Sequence, residues 1–75
     1  MPHINIKCYP KHLTEQQLDE FQKELSALAV KHLKAGEGDV SIAHTEIPAE
    51  EWQGIWDTDI KPNMDKLLKK PGYEM

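Results

Sequence analysis

The stretch Pro2-His3-Ile4-Asn5-Ile6-Lys7-Cys8-Tyr9-Pro10, followed by Thr14-Glu15-Gln16-Gln17, decides how this chain folds. Residues 3–9 alternate with period two: Ile4, Ile6 and Cys8 share one face, while His3, Asn5, Lys7 and Tyr9 share the other. Successive side chains of a strand point to opposite sides, so this is the pattern of a half-buried strand. Pro10 ends it, having no N–H to give to a ladder. Thr14 and Gln17 then occupy the N-cap and N3 positions of a capping box, with Leu13 and Leu18 at the staple positions. Leu18, Phe21, Leu25, Leu28, Ala29 and Leu33 recur at spacings of three and four. That spacing predicts one apolar helical face reaching residue 33.

Beyond this helix, Ala35-Gly36-Glu37-Gly38 is expected to stop it and turn the chain. Asp39 to Ile47 reads as a second strand, with Val40, Ile42 and His44 on one side. The helix is long enough to serve as a crossover, so the strands are expected to be parallel, in a right-handed unit. Pro48-Ala49-Glu50-Glu51 suits the start of another helical turn, and Trp52, Ile55 and Trp56 supply its apolar face. Pro62 falls in the first turn of a last helix carrying Met64, Leu67 and Leu68. Lys66, Lys69 and Lys70 favour its C-terminal end, and Pro71-Gly72 closes it. The expected fold class is therefore α/β (α+β): a β-α-β unit with parallel strands and an additional C-terminal helix. No repeat, linker or low-complexity stretch divides residues 1–75, which read as a single domain.

A chain of 75 residues buries only about 60% of its unfolded surface and is marginal alone. Cys8 is the only cysteine, so no intrachain disulfide reinforces it, and a reducing compartment is implied. Histidines 3, 12, 32 and 44 lack the spacing and Cys partners of a zinc site. No apolar run approaches the ~20 residues of a membrane span, and no signal-peptide core precedes residue 20. These points suggest a cytoplasmic protein with no membrane partner. Association is the remaining source of stability. Two strands with open edges and two tryptophans needing cover lead us to expect an obligate homodimer that completes a four-stranded sheet, or a higher assembly built from such dimers.

The net charge is −4 and arginine is absent, which argues against a nucleic-acid partner, since phosphate contacts need clustered cations. Charge is unevenly spread: residues 1–12 carry Lys7 and Lys11 and no acid. A small anion would be attracted there, although lysines on a solvated strand edge give the same pattern.

Pro2 is the residue with the most distinctive chemistry. A small second residue generally permits removal of the initiator Met, leaving Pro2 as a free secondary amine at the mouth of a strand. Burial and neighbouring cations both lower an amine pKa, and proton transfer is most efficient near the operating pH. Proline is also about 5% of ordinary sequence, so its position alone is compatible with accident.

The order Pro2, Ile4-x-Ile6, a capped helix at Thr14, Asp39-Val40-Ser41-Ile42 and Thr45-Glu46-Ile47 before Trp52 resembles the tautomerase superfamily, in its 4-oxalocrotonate tautomerase-like group. The stretches Pro2–Cys8, Glu51–Asp57 and Lys69–Tyr73 are similar to the short bacterial tautomerases acting on phenylpyruvate-type enols. The resemblance spans essentially the whole chain. It implies a cofactor-independent keto–enol tautomerase in which Pro2, as general base, moves a proton between an enol oxygen and a carbon of a 2-keto acid. Polar or cationic groups would hold the carboxylate and the developing enolate.

Against the family pattern, the arginine before the first helix corresponds to His12, beside Lys11, and the arginine of the second strand corresponds to Ser41. Lys11 would then bind the carboxylate as a point charge, or be a solvated loop lysine. His12 has the weaker claim to that role. Ser41 cannot supply a charge, so a monocarboxylate with an aromatic or apolar tail is expected rather than a dicarboxylate. Trp52 corresponds to the aromatic residue lining the family's pocket, and core packing is its alternative. Trp56, Ile6 and Cys8 read as packing. Smaller hexameric members end in a glycine-rich hairpin that joins dimers, whereas this chain reads as helical there, which favours the dimer. Two further functions fit the same fold: a non-catalytic dimeric module binding a ligand or protein, and a hydratase or dehalogenase acting on unsaturated acids.

Overall fold

The computed structural model describes residues 1–75. Strand β1 (His3–Cys8) leads through helix α1 (Glu15–Leu33) to strand β2 (Ser41–Glu46), and a second helical segment occupies residues 49–66. β1 and β2 pair in parallel, from His3 opposite Ser41 to Cys8 opposite Glu46. The ladder extends past both strand ends: Ser41 N–H donates to the Pro2 carbonyl at 3.1 Å, and Ile47 N–H to the Cys8 carbonyl at 2.8 Å. Ile4, Ile6 and Cys8 are half-buried and their neighbours in sequence exposed, as the period of two requires.

The entry to α1 is the capping box expected from sequence. Gln17 N–H donates to Thr14 Oγ1 at 3.1 Å, and Thr14 N–H donates to Gln17 Oε1 at 2.9 Å. The helix exits through Lys34, which takes the left-handed conformation at φ 54° and ψ 40°. A groove of ≈ 500 Å³ between α1 and β2 is lined by Leu18, Phe21, Ile42 and His44 among others, so α1 lies over the face bearing Ile42. Cys8 Sγ meets His44 Nε2 across the strands at 3.3 Å.

Residues 49–66 differ from the two separate helices expected. They form a series of abutting short pieces: a tight turn at Ala49–Glu51, one α-helical turn, α2 (Trp52–Ile55), a wide π-type turn at Trp56–Ile60, and a 3-10 stretch at Lys61–Lys66 that is kinked at Asn63, φ −112° and ψ 16°. Pro62 explains the irregularity. It has no N–H, and its ring would collide with the carbonyl four residues back, so an α-helical ladder cannot pass through it. Side chains take over freed acceptors: Asn63 Nδ2 donates to the Asp59 carbonyl at 3.1 Å, and the single hydroxyl hydrogen of Thr58 is shared between the Gly54 carbonyl at 2.9 Å and Asp59 Oδ1 at 2.8 Å. The helical stretch ends at Lys66, and Leu67 is extended at φ −69° and ψ 131°. Leu67 and Leu68 therefore lie beyond the last helix rather than on it, and Leu68 is fully exposed.

Only Ala29 and Trp56 are buried. Phe21 is 41% exposed, Leu28 53% and Leu33 61%. Trp56 thus takes the core position expected of it, while much of the apolar face of α1 is uncovered in a single copy. No helix is long and apolar enough to cross a membrane.

Candidate active site

The end of β1, the loop after it and the start of α2 surround a cavity of ≈ 490 Å³, lined by Lys7, Cys8, Tyr9, Lys11, Trp52 and Tyr73. Local structure puts these groups together. Pro10 takes the chain out of the sheet, and the Lys11 N–H donates to the Glu46 carboxylate at 3.1 Å. That bond ties the loop to the end of β2. Tyr9 and Trp52 meet edge to face, with ring centroids 5.3 Å apart and planes at 84°, an arrangement favoured by aromatic quadrupoles. Trp52 Nε1–H donates to Tyr73 Oη at 2.9 Å. The Tyr73 ring packs in turn on Trp56, centroids 5.5 Å apart, so the buried tryptophan anchors the C-terminal segment beside the cavity.

Two lysines reach the site, and they differ in charge balance. Lys7 is paired with Asp59 at 2.6 Å. Its hydrogen bond, helped by one from Thr58, holds the Asp59 carboxyl below the usual aspartate range. The Lys11 ammonium belongs to neither of the two ion pairs of the chain, Lys7–Asp59 and Lys23–Asp19. It lies 5.9 Å from the Tyr9 ring centroid, at the outer limit of a cation–π contact. An unneutralised cation beside aromatic walls suits a small anion with an apolar tail.

Of the residues singled out from sequence, Lys11 and Trp52 share this cavity. Pro2 and Ser41 lie together elsewhere, at the opposite end of the sheet, joined by the Ser41 N–H to Pro2 carbonyl bond. Ser41 Oγ is also 2.6 Å from His3 Nδ1. Strand rise puts Pro2 about 20 Å from Cys8, so Pro2 and Lys11 do not meet within one chain. His12 lines no cavity; it is exposed and sits at φ 53°. No set of three or more His, Cys, Asp or Glu side chains could hold a metal ion. Sequence reading gave no role to Tyr73 or to the Lys7–Asp59 pair. Each depends on a contact between residues 21 and 52 positions apart, for which local pattern carries no signal.

The family model described as "Tautomerase enzyme" matches residues 2–55. The chain is 47% identical to Tautomerase PptA of Escherichia coli (strain SMS-3-5 / SECEC) over 75 residues, the full length of both chains. It is similar over the same full length to Tautomerase PptA of Shigella sonnei (strain Ss046), at 45% identity. The protein of that name from Klebsiella pneumoniae (strain 342) is 41% identical, again over both full lengths.

Proposed function

From the premise that the chain belongs to the tautomerase family of enzymes, we propose that it interconverts the enol and keto forms of 2-keto monocarboxylates with aromatic tails, phenylpyruvate being the type. The observation that carries this reading is the cavity with one unpaired ammonium, Lys11, between aromatic walls. One cation matches one carboxylate; the Tyr9 and Trp52 rings match an aromatic tail. By resemblance Ser41 corresponds to the second cation that a dicarboxylate would need; it carries no charge, and its hydroxyl is engaged with His3.

Pro2 serves as the base. Its amine takes the proton from the enol hydroxyl and returns it to C3, so no external oxidant or reductant takes part. The amine exists only after Met1 is cleaved, because an acylated proline nitrogen has no basicity. Met1 is 98% exposed and open to such cleavage. The distance between Pro2 and Lys11 is bridged by a second copy. Two copies related by a two-fold axis and paired edge to edge run antiparallel, which brings the Pro2 end of one toward the Lys11–Trp52 end of the other. The uncovered Phe21, Leu28 and Leu33 favour such a homodimer.

The test compares chains beginning at Pro2 with chains retaining Met1, in ketonisation of phenylenolpyruvate. Loss of a general base typically lowers the rate 10²–10⁴-fold, and a loss of that size is expected for the Met1 form. Equal rates would exclude Pro2 as the base.

A further inference from the structure

Tyr73 presents an accounting of hydrogens that the foregoing mechanism does not use. The indole Nε1–H of Trp52 is a donor only, so in the 2.9 Å bond between them Tyr73 Oη is the acceptor. The phenol proton takes no part in that bond, and Tyr73 Oη makes no other side-chain contact within hydrogen-bond range. The ring is held by Trp56, itself 5% exposed. The hydroxyl is thus fixed at the wall of the Lys11 cavity, one lone pair occupied and its hydrogen unspent.

We infer that Tyr73 is a substrate-binding and specificity-determining residue, its hydroxyl donating to the C2 oxygen of a 2-oxo acid whose carboxylate is held by Lys11. This deepens, and rests on, the functional reading above. The two donors differ in kind: the lysine carries a full charge suited to a carboxylate, whereas a phenol is a neutral donor suited to a carbonyl or enol oxygen. Carboxylate carbon and C2 are bonded neighbours, so one molecule lying along the aromatic wall presents both acceptors to the same cavity.

Calorimetric binding of two acids tests this: phenylpyruvate, which has the C2 oxygen, and 3-phenylpropanoate, which lacks it. Tyr73→Phe keeps the ring on Trp56 and removes only the hydroxyl. It should weaken phenylpyruvate binding about threefold to tenfold, the range of one neutral hydrogen bond, and leave 3-phenylpropanoate unchanged. Trp52→Phe breaks the same Trp–Tyr bond from the other side while sparing the hydroxyl, and should keep the wild-type ratio of the two affinities. If Tyr73→Phe weakens both acids equally, or shifts the ratio no more than Trp52→Phe does, the hydroxyl has no selective role and the inference falls. If the unaltered protein binds both acids and Tyr73→Phe discriminates as it does, the inference alone falls. If the unaltered protein binds neither acid, the assignment of the cavity falls with it.

Discussion

Lys7 and Asp59, 52 positions apart in sequence, meet at 2.6 Å and tie β1 to the wide helical turn at Trp56–Ile60. The pair also settles which lysine beside the cavity is free. Replacing Asp59 by Asn should release Lys7 to compete with Lys11 for a carboxylate, lowering KM for a monocarboxylate enol while stability falls only slightly. Both side chains are more than a third exposed, and pairs of this kind contribute about 0.2–1 kcal/mol after solvent screening. The sign with pH follows from the depressed Asp59 pKa. The contribution is complete above the ordinary aspartate value of 3.8 and is lost as pH falls below it, through the folded-state value. Urea titrations from pH 6 down to pH 3 should therefore show the wild type converging on the Asn variant.

Lys11→Ala should raise KM by about tenfold or more, the scale of one hydrogen bond to a charged group, with a smaller change in kcat. Lys11→Arg should retain most activity because the charge persists. Steady-state kinetics on phenylenolpyruvate checks both, and an unchanged KM for the Ala variant would remove Lys11 from the carboxylate site.

The separation of Pro2 from Lys11 makes complementation the sharpest measure of assembly. Assayed well below the wild-type KM, a chain with blocked Pro2 should be nearly inactive and a Lys11→Ala chain should keep about a tenth or less of the rate. Unfolded and refolded together in equal amounts, half the dimers contain one of each, and each such dimer has one intact site. About a quarter of wild-type activity should return. No recovery, with mixed dimers verified by mass spectrometry, would place both groups in one chain's site. Dilution in the ultracentrifuge should couple dissociation to loss of helicity, since a single copy buries only Ala29 and Trp56.

At the entry to α1, Thr14→Ala removes the side-chain half of the capping box. The expected cost is about 1 kcal/mol, or a fall in Tm of about 4–8 °C for a domain of this size. Thermal melts at one fixed protein concentration measure it, as association makes Tm depend on concentration. Activity at 25 °C should be unaffected.

What could be read from sequence was whatever rests on local periodicity and capping. Ile4-x-Ile6-x-Cys8 fixed the strand and its faces, Thr14 and Gln17 fixed where α1 begins, and the crossover length fixed parallel pairing. The last helix was misjudged at its far end because Leu67 and Leu68 continue a helical spacing that the backbone abandons after Lys66. Pro62 does lie in the first turn of the last helical piece, which is 3-10 rather than α and ends at Lys66. At the site, Lys11 and Trp52 were found through resemblance, and their proximity is now geometric. His12, which the same resemblance implies, is exposed and is not among the residues lining the cavity. Strand length bears on how Pro2 and Lys11 can meet: the six residues from Pro2 to Cys8 span about 20 Å of extended chain, so a site holding both draws them from two copies.

The exit of α1 has a consequence of another kind. All four glycines avoid positive φ, while His12 and Lys34 adopt it. A left-handed position costs a side-chain-bearing residue roughly 1 kcal/mol or more, only partly offset by the greater freedom glycine would have in the unfolded chain. Lys34→Gly should therefore raise stability by up to about 1 kcal/mol, measurable as a higher urea midpoint with an unchanged slope. The chain thus holds an undrawn margin at a residue outside the cavity lining. A lineage or an engineer could spend that margin on otherwise destabilising changes to the cavity wall, which makes the helix exit a determinant of how readily this enzyme could acquire new substrates.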